Sequence, residues 1–272
     1  MIVREPKYSG KFYPEKPRVL ISMLQDLYNR VEFSRKKIRS NGILLPHAAY
    51  HYSGHVAMSV LKCIEIPENI IIFCPNHNGL GEDVNIVSEG RFITPIGDVA
   101  INSDIARGIM KDIPEVKEDI KSHLIEHSIE VQLPLLKYLR NDVRIVPILI
   151  KKLKANILTK LISDFANFFK GSGASDILFL SSSDLSHYER YDEAIRKDKL
   201  LLKYVEKMDI YGLKKVIEEE HISMCGYEGT AINMELCRQS GATQGIIKRY
   251  DTSSSSDGNY ESVVGYAGAC FV

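Results

Sequence analysis

The 272-residue chain lacks most of the features that reveal a function at first reading. It has no excess of either charge, because 35 Lys and Arg face 35 Asp and Glu. A chain without a net field does not attract nucleic acid or anionic lipid by charge alone. The nearest thing to a basic patch, RVEFSRKKIRS at 30–40, reads as a solvated helix end. No run approaches the ~18 apolar residues that a membrane span needs. The opening MIVREPKYSGKFYP has no long apolar stretch of the kind found in a secretory signal. The five cysteines, at 63, 74, 225, 237 and 270, form no CxxC pair and no regular framework. An odd, irregular set argues against a disulfide-stapled secreted fold. Internal repeats, low-complexity segments and linkers are missing too. The expectation is one domain over 1–272, soluble and cytoplasmic, with no nucleic-acid or membrane partner.

What the chain does have is alternation. Short apolar, β-branched runs at 42–46, 69–75, 142–150 and 175–184 read as buried strands, and 243–253 and 261–272 add two more. Helical patterns lie between them at 15–30, 54–64, 102–112, 126–140, 154–170, 190–205, 209–219 and 228–239. This order predicts a three-layer α/β/α sandwich. VSEGRFITPIGDVAI (87–101) reads as a hairpin, which makes the central sheet mixed, and SSSSDG (253–258) reads as a loop.

Chemistry-bearing residues collect at the ends of these strands. ILLPHAAYHYSGHVA holds His47, His51 and His55 at spacing four. Pro46 biases the preceding residue away from helix, and Ser53 suits an N-cap for the helix that follows. That places His47 past a strand, His51 in a loop and His55 in a first helical turn, so no three-histidine stripe forms. His77 follows the next strand, and Asp184 and His187 follow a third. In open α/β sheets, ligands gather beyond the strand carboxyl ends. A lone histidine is more often structural, but three strands that each deliver one to a single edge point to a site. Asp184 precedes His187 by three residues and is placed to orient its ring, or alternatively to cap a turn. Cys225 sits just before a helical pattern, where a thiol's pKa falls toward the thiolate; a small buried core cysteine is the competing reading. Glu126, His127 and Glu130 lie on one amphipathic stretch, readable equally as a solvated acidic face.

Together these segments carry a resemblance. REPKYSGKFYP, PHAAYHYSG, CPNHNG, EHSIEVQLP, SSDLSHY, MCGYEG and YDTSSSSDGNYESVVGYAG occur in that order over nearly the whole chain. In them the chain resembles the Memo family, whose prokaryotic members are often encoded alongside radical-SAM proteins. The family's fold is similar to class III extradiol dioxygenases, which implies an α/β sandwich with a cleft at one sheet edge. The resemblance implies a metal site of His47, His77 and Cys225. It places His187, with Asp184 behind it, as a catalytic base and His127 as a hydrogen-bonding partner in the same cleft. Iron(II) is the expected metal, with copper or zinc as alternatives. His51, His55, His123 and His221 match no family position. The chain departs from the family pattern at Ala49, Cys74 and Thr230, which stand where glycine, glycine and proline are usual.

Two functions follow from that resemblance. One is a metal-dependent oxidoreductase acting on a small molecule, for which two histidines and one anionic ligand leave coordination positions open. The other is a non-enzymatic module, since eukaryotic relatives are described as taking phosphotyrosine-containing peptides in this cleft.

Overall fold

Apolar runs bounded by turn residues become strands because a strand covered on both faces can bury every side chain. The computed structural model describes residues 1–32, 37–171 and 176–272; part of the basic stretch at 30–40, and Ser175 of the 175–184 run, lie outside them. In chain order the strands are β1 (Ile2–Arg4), β2 (Gly42–Leu45), β3 (Asn69–Pro75), β4 (Val84–Ile86), β5 (Gly90–Phe92), β6 (Val99–Ile101), β7 (Val116–Glu118), β8 (Arg144–Ile150), β9 (Ile177–Ser182), β10 (His187–Glu189), β11 (Gly245–Thr252) and β12 (Val263–Phe271). The helices are α1 (Pro17–Arg30), α2 (Tyr50–Leu61), α3 (Ser103–Asp112), α4 (His127–Glu130), α5 (Gln132–Leu139), α6 (Ala155–Gly171), α7 (Tyr191–Glu206), α8 (Ile210–Glu219), α9 (Tyr227–Gln239) and α10 (Ser254–Asp257).

The strands form one 12-stranded mixed sheet in the order β1-β5-β6-β8-β3-β9-β2-β12-β10. Off this path, β11 pairs with β12, and β4 with β8 and β7. Its centre is parallel, β8 to β3 to β9 to β2, and β12 closes it antiparallel against β2. The 87–101 hairpin forms as β5 and β6. Helices α1, α2, α4 and α5 contact one another, with α2 and α4 on the sheet, while α3, α6 and α9 pack together elsewhere, α9 lying on β2, β3 and β9. The result is the expected α/β sandwich. One contiguous apolar cluster runs through it, from Leu20 and Leu24 of α1 through β2, β3, β8 and β9 to Leu236 of α9.

Several boundaries differ from the sequence expectation, each for a physical reason. Helix α2 starts at Tyr50, not after Ser53, and Ala49 precedes it with no side-chain cap. The Ser53 hydroxyl instead donates to the Ala48 carbonyl, and Gly54 lies inside the helix because a Cβ there would stand 2.9 Å from Leu27 of α1. His51 and His55 therefore share this helix, and His47 remains outside it. The 126–140 pattern divides at Val131, where Pro134 has no N–H to offer the Glu130 carbonyl. The SSSSDG segment forms the short helix α10, stopped by left-handed Gly258 at φ 69°.

Candidate metal centre

Strands β3, β9 and β2 are adjacent and parallel, so their carboxyl ends open on the same edge. Just beyond those ends stand His77, Asp184 and His47. Cys225 reaches the same point from the turn before α9. Gly226 permits this approach, because a Cβ there would come within 2.3 Å of the Ser182 carbonyl oxygen and 2.7 Å of Ser183 Cβ. The Cys225 Sγ lies 3.4 Å from His47 Nε2, and one ligand atom from each of His47, His77 and Cys225 falls within 4.8 Å of the others.

Each member of this group is held by buried polar partners. The His77 amide and ring Nδ1 both donate to Glu126, at 2.8 and 2.9 Å. Glu126 also accepts the amides of His127 and Ser128, and His127 Nδ1 stands 3.2 Å from it. His77, Glu126 and His127 form a second group close enough to hold an ion. The oxygens of Glu126 are already taken up by these donors, however, which makes it the group that orients both imidazoles. Burial alone would raise its pKa, but the hydrogen bonds from His127 and His77 hold it far below the usual carboxylate range. The solvated acidic face is thus overturned: Glu126 and Glu130 are both buried. Glu130 pairs with buried Arg4 and accepts from Tyr13 and from the Tyr8 amide, which ties the N-terminal segment down beside the cleft.

Asp184 departs from its expected partner. Its Oδ1 accepts the His47 amide at 2.9 Å, and its Oδ2 lies 4.0 Å from His47 Nε2. His187 instead has its amide on Ser223 Oγ, and its ring Nδ1 is buried with no hydrogen-bond partner. The cause is local: Ser186 is drawn away by buried Asp198, which accepts both its amide and its hydroxyl and also takes the Tyr250 hydroxyl. His187 nevertheless lines the same cleft as His47, His77, His127 and Asp184, an opening of about 380 Å³. Phe12, Tyr52, Tyr188 and Tyr266 give it aromatic walls. The His127 ring stacks on His77 at 4.7 Å between centroids and packs against Phe12.

The electrostatics also revise one expectation. The Cys225 thiol is pushed up, first by burial and then by the negative charge of Asp184, not down as its position before a helix suggested. Its sulfur accepts the Asp184 amide at 3.3 Å, a bond that favours the thiolate without overcoming burial. His47 is held well below its ordinary value by burial and by its neighbours His77 and His127, so it is a neutral imidazole with a lone pair to offer. Burial raises Asp184. Ala49 has φ −59° and needs no glycine. Thr230 returns its hydroxyl to the Gly226 carbonyl, and Cys74 is buried against the hydroxyls of Ser128 and Ser182. His51, His55, His123 and His221 stay outside the group; His55 pairs with Asp251 at 2.7 Å. The supporting roles of Ser182 and Gln132 carried no signal in the sequence beyond lying inside quoted motifs, and Glu126 was visible only on an amphipathic stretch equally readable as a solvated face.

A mixed α/β sandwich with two histidines and a cysteine converging beyond adjacent parallel strands defines the class of site. Comparison with known proteins supplies the family. The chain matches the Memo-like protein family over residues 4–270. It is similar to a MEMO1 family protein of Aquifex aeolicus, 37% identical over 274 residues with 100% of both chains covered. Another MEMO1 family protein, from Ignicoccus hospitalis, is 36% identical and covers 100% of this chain and 99% of that one. The chain belongs to the Memo family. In fold alone it is also like an uncharacterized protein of Escherichia coli K12, with TM-score 0.54, 10% identity, and 85% and 99% of the two chains covered.

Proposed function

We propose that the chain is a metal-dependent oxidoreductase whose ion, iron(II) first and copper or zinc otherwise, is held by His47, His77 and Cys225. The observation that carries this reading is the convergence of those three donors within 4.8 Å, with His77 committed to Glu126 through its other nitrogen. Histidine ligands are commonly fixed by a partner on the far side of the ring. A bound metal would supply Lewis-acid and electron-transfer chemistry to a small molecule in the cleft. The chain's own residues would do the rest. The aromatic walls, Phe12 and Tyr266 among them, would bind a planar or apolar body. His127, anchored through Nδ1, would hold a polar group, and His187 would exchange a proton with the ligand.

The alternative, a module that takes an anionic or phosphorylated ligand without turnover, draws less support. Among the described residues lining the cleft there is no Lys or Arg, so a phosphate would depend on imidazoles alone.

The test is metal analysis of protein purified without chelator, followed by uptake of added iron(II), copper(I) and zinc. About one equivalent of metal, lost in His47→Ala, His77→Ala and Cys225→Ala, is the expected result. Failure to take up any of the three ions, with phenyl phosphate bound in the cleft, would replace the enzyme reading by the module.

A further inference from the structure

We propose that Ser182 and Gln132 are positioning residues that set the tautomer of His47, keeping the proton on Nδ1 and the Nε2 lone pair bare toward Cys225. The claim concerns the metal-free chain, and only its consequence for metal affinity rests on the reading above.

The argument starts from one hydroxyl. Ser182 Oγ, at the end of β9 and fully buried, has four polar neighbours: Gln132 Nε2 at 2.8 Å, His47 Nδ1 at 2.8 Å, the Ser128 carbonyl at 3.3 Å, and the Cys74 thiol, the weakest donor and acceptor of the four. A hydroxyl carries one proton and two lone pairs. The orientation of the Gln132 amide is settled by its other contact, because the atom facing Ser182 is also 2.9 Å from the Pro46 carbonyl. A carbonyl only accepts, so that atom is the amide nitrogen, and its two protons go to Pro46 and Ser182. One Ser182 lone pair is then used. The Ser128 carbonyl can take only the Ser182 proton, which leaves the second lone pair for His47. Apart from Gln132 Oε1, which is buried without a partner, every strong donor and acceptor in the cluster is matched in this arrangement if His47 Nδ1 donates. In the opposite tautomer Ser182 spends its proton on His47, and the buried Ser128 carbonyl loses this partner.

The geometry on the other side of the ring gives the tautomer its meaning. His47 Nε2 faces Cys225 Sγ at 3.4 Å and Asp184 Oδ2 at 4.0 Å. A proton on Nε2 would be attracted by either group, and it would block the lone pair that a metal needs. The Ser182 hydroxyl therefore opposes the local pull of the Asp184 carboxylate, while a protonated Cys225 thiol can itself donate to a bare Nε2. Gln132 sits on α5; it reaches the ring through Ser182, while its other amide proton holds the Pro46 carbonyl next to His47. For His77 the same task falls to the Glu126 carboxylate; for the more deeply buried His47 it falls to a neutral hydroxyl and an amide, which add no further charge to the interior.

The test is the tautomer of His47 in metal-free protein, read from long-range nitrogen–proton correlations of ¹⁵N-histidine-labelled samples. Wild type should show the proton on Nδ1. Ser182→Ala should move the population toward Nε2–H, Gln132→Leu should move it less in the same direction, and Ser182→Thr, which keeps the hydroxyl on a strand, should restore it. Chelator competition with zinc should then give an affinity lower by about 10–100-fold in Ser182→Ala, the usual effect of removing a histidine ligand's partner. A wild-type signal from Nε2–H, or a Ser182→Ala spectrum unchanged from wild type, overturns the assignment. A shifted tautomer with unchanged zinc affinity would show that Ser182 does not position a ligand. Zinc binding absent from wild type as well would sink the metal reading, while the tautomer measurement still decides the role of Ser182.

Discussion

Cys225 behaves differently from what its place in the chain suggests. A thiol just ahead of a helix is expected to ionise easily, yet Gly226 and not Cys225 is the residue that caps α9, and the half-buried Cys225 side chain lies beside Asp184. Its folded pKa lies above the unfolded one, so the folded protein keeps the proton through neutral pH and loses it only under alkaline conditions. Alkylation of metal-free protein at neutral pH should accordingly be slow at Cys225 and should quicken steadily with pH, since the thiolate is the reactive form. Peptide mapping across a pH series checks this. A fast reaction at pH 7 that flattens at higher pH would show that the amide of Asp184 and the hydroxyl of Ser183 stabilise the thiolate more than burial opposes it.

At the scale of elements, α9 decides whether the cysteine arrives. Its first turn presses on β3 and β9 closely enough that Gly229 would meet Phe73 Cβ at 2.9 Å, and Gly226 would meet the β9 backbone, if either carried a Cβ. A backbone neighbour cannot rotate away, so Gly226→Ala must shift the turn that holds Cys225. The expected outcome is a folded protein destabilised by about 1–3 kcal/mol, in the range for overpacking, with metal uptake reduced far more than that loss alone would bring about. Circular dichroism with urea titration, alongside zinc competition, separates the two effects. Unaltered metal affinity in a stable Gly226→Ala protein would mean that the turn has slack the close contacts deny. The strands beside α9 were legible from their apolar runs, and so was the crowding of polar residues at their ends. The pairing of Asp184 was not, because the three-residue spacing to His187 says nothing about Asp198, which pulls Ser186 aside from another helix.

For the whole molecule, His123 supplies a pH-dependent term with both a sign and a size. It is 1% exposed, neither ring nitrogen makes a well-formed hydrogen bond, and burial, offset in part by the nearby Asn85 backbone, lowers its pKa from 6.5 to about 4. Below pH 6.5 the unfolded chain takes up a proton that the folded chain refuses. The stability present above 6.5 is therefore lost as pH falls toward 4, by roughly 3 kcal/mol at about 1.4 kcal/mol per unit. His123→Leu should abolish most of that loss. At pH 7 it should be close to neutral, since it removes a buried polar group that makes no well-formed hydrogen bond. Urea unfolding of both proteins at pH 7 and pH 4.5 measures it, and an equal pH dependence in the two would assign the acid sensitivity to other groups.

What the sequence determined by itself is whatever depends on neighbours along the chain. The run NIIIFCP made β3 a buried strand, the alternation of strands and helices made the sandwich, and the position of His47 and His77 just past strand ends placed them at the carboxyl edge of the sheet. Tertiary structure alone decided which atoms meet. Cys225 and His47 are 178 residues apart, His47 and Ser182 are 135 apart, and His77 and Glu126 are 49 apart. Periodicity carries no information over such separations. A glutamate on an amphipathic stretch reads the same whether it faces water or two imidazoles, and only the packing of α4 beneath β3 turned Glu126 inward. The chemistry of the site thus rests on hydrogen bonds and desolvation that exist once the sheet has closed and water has left.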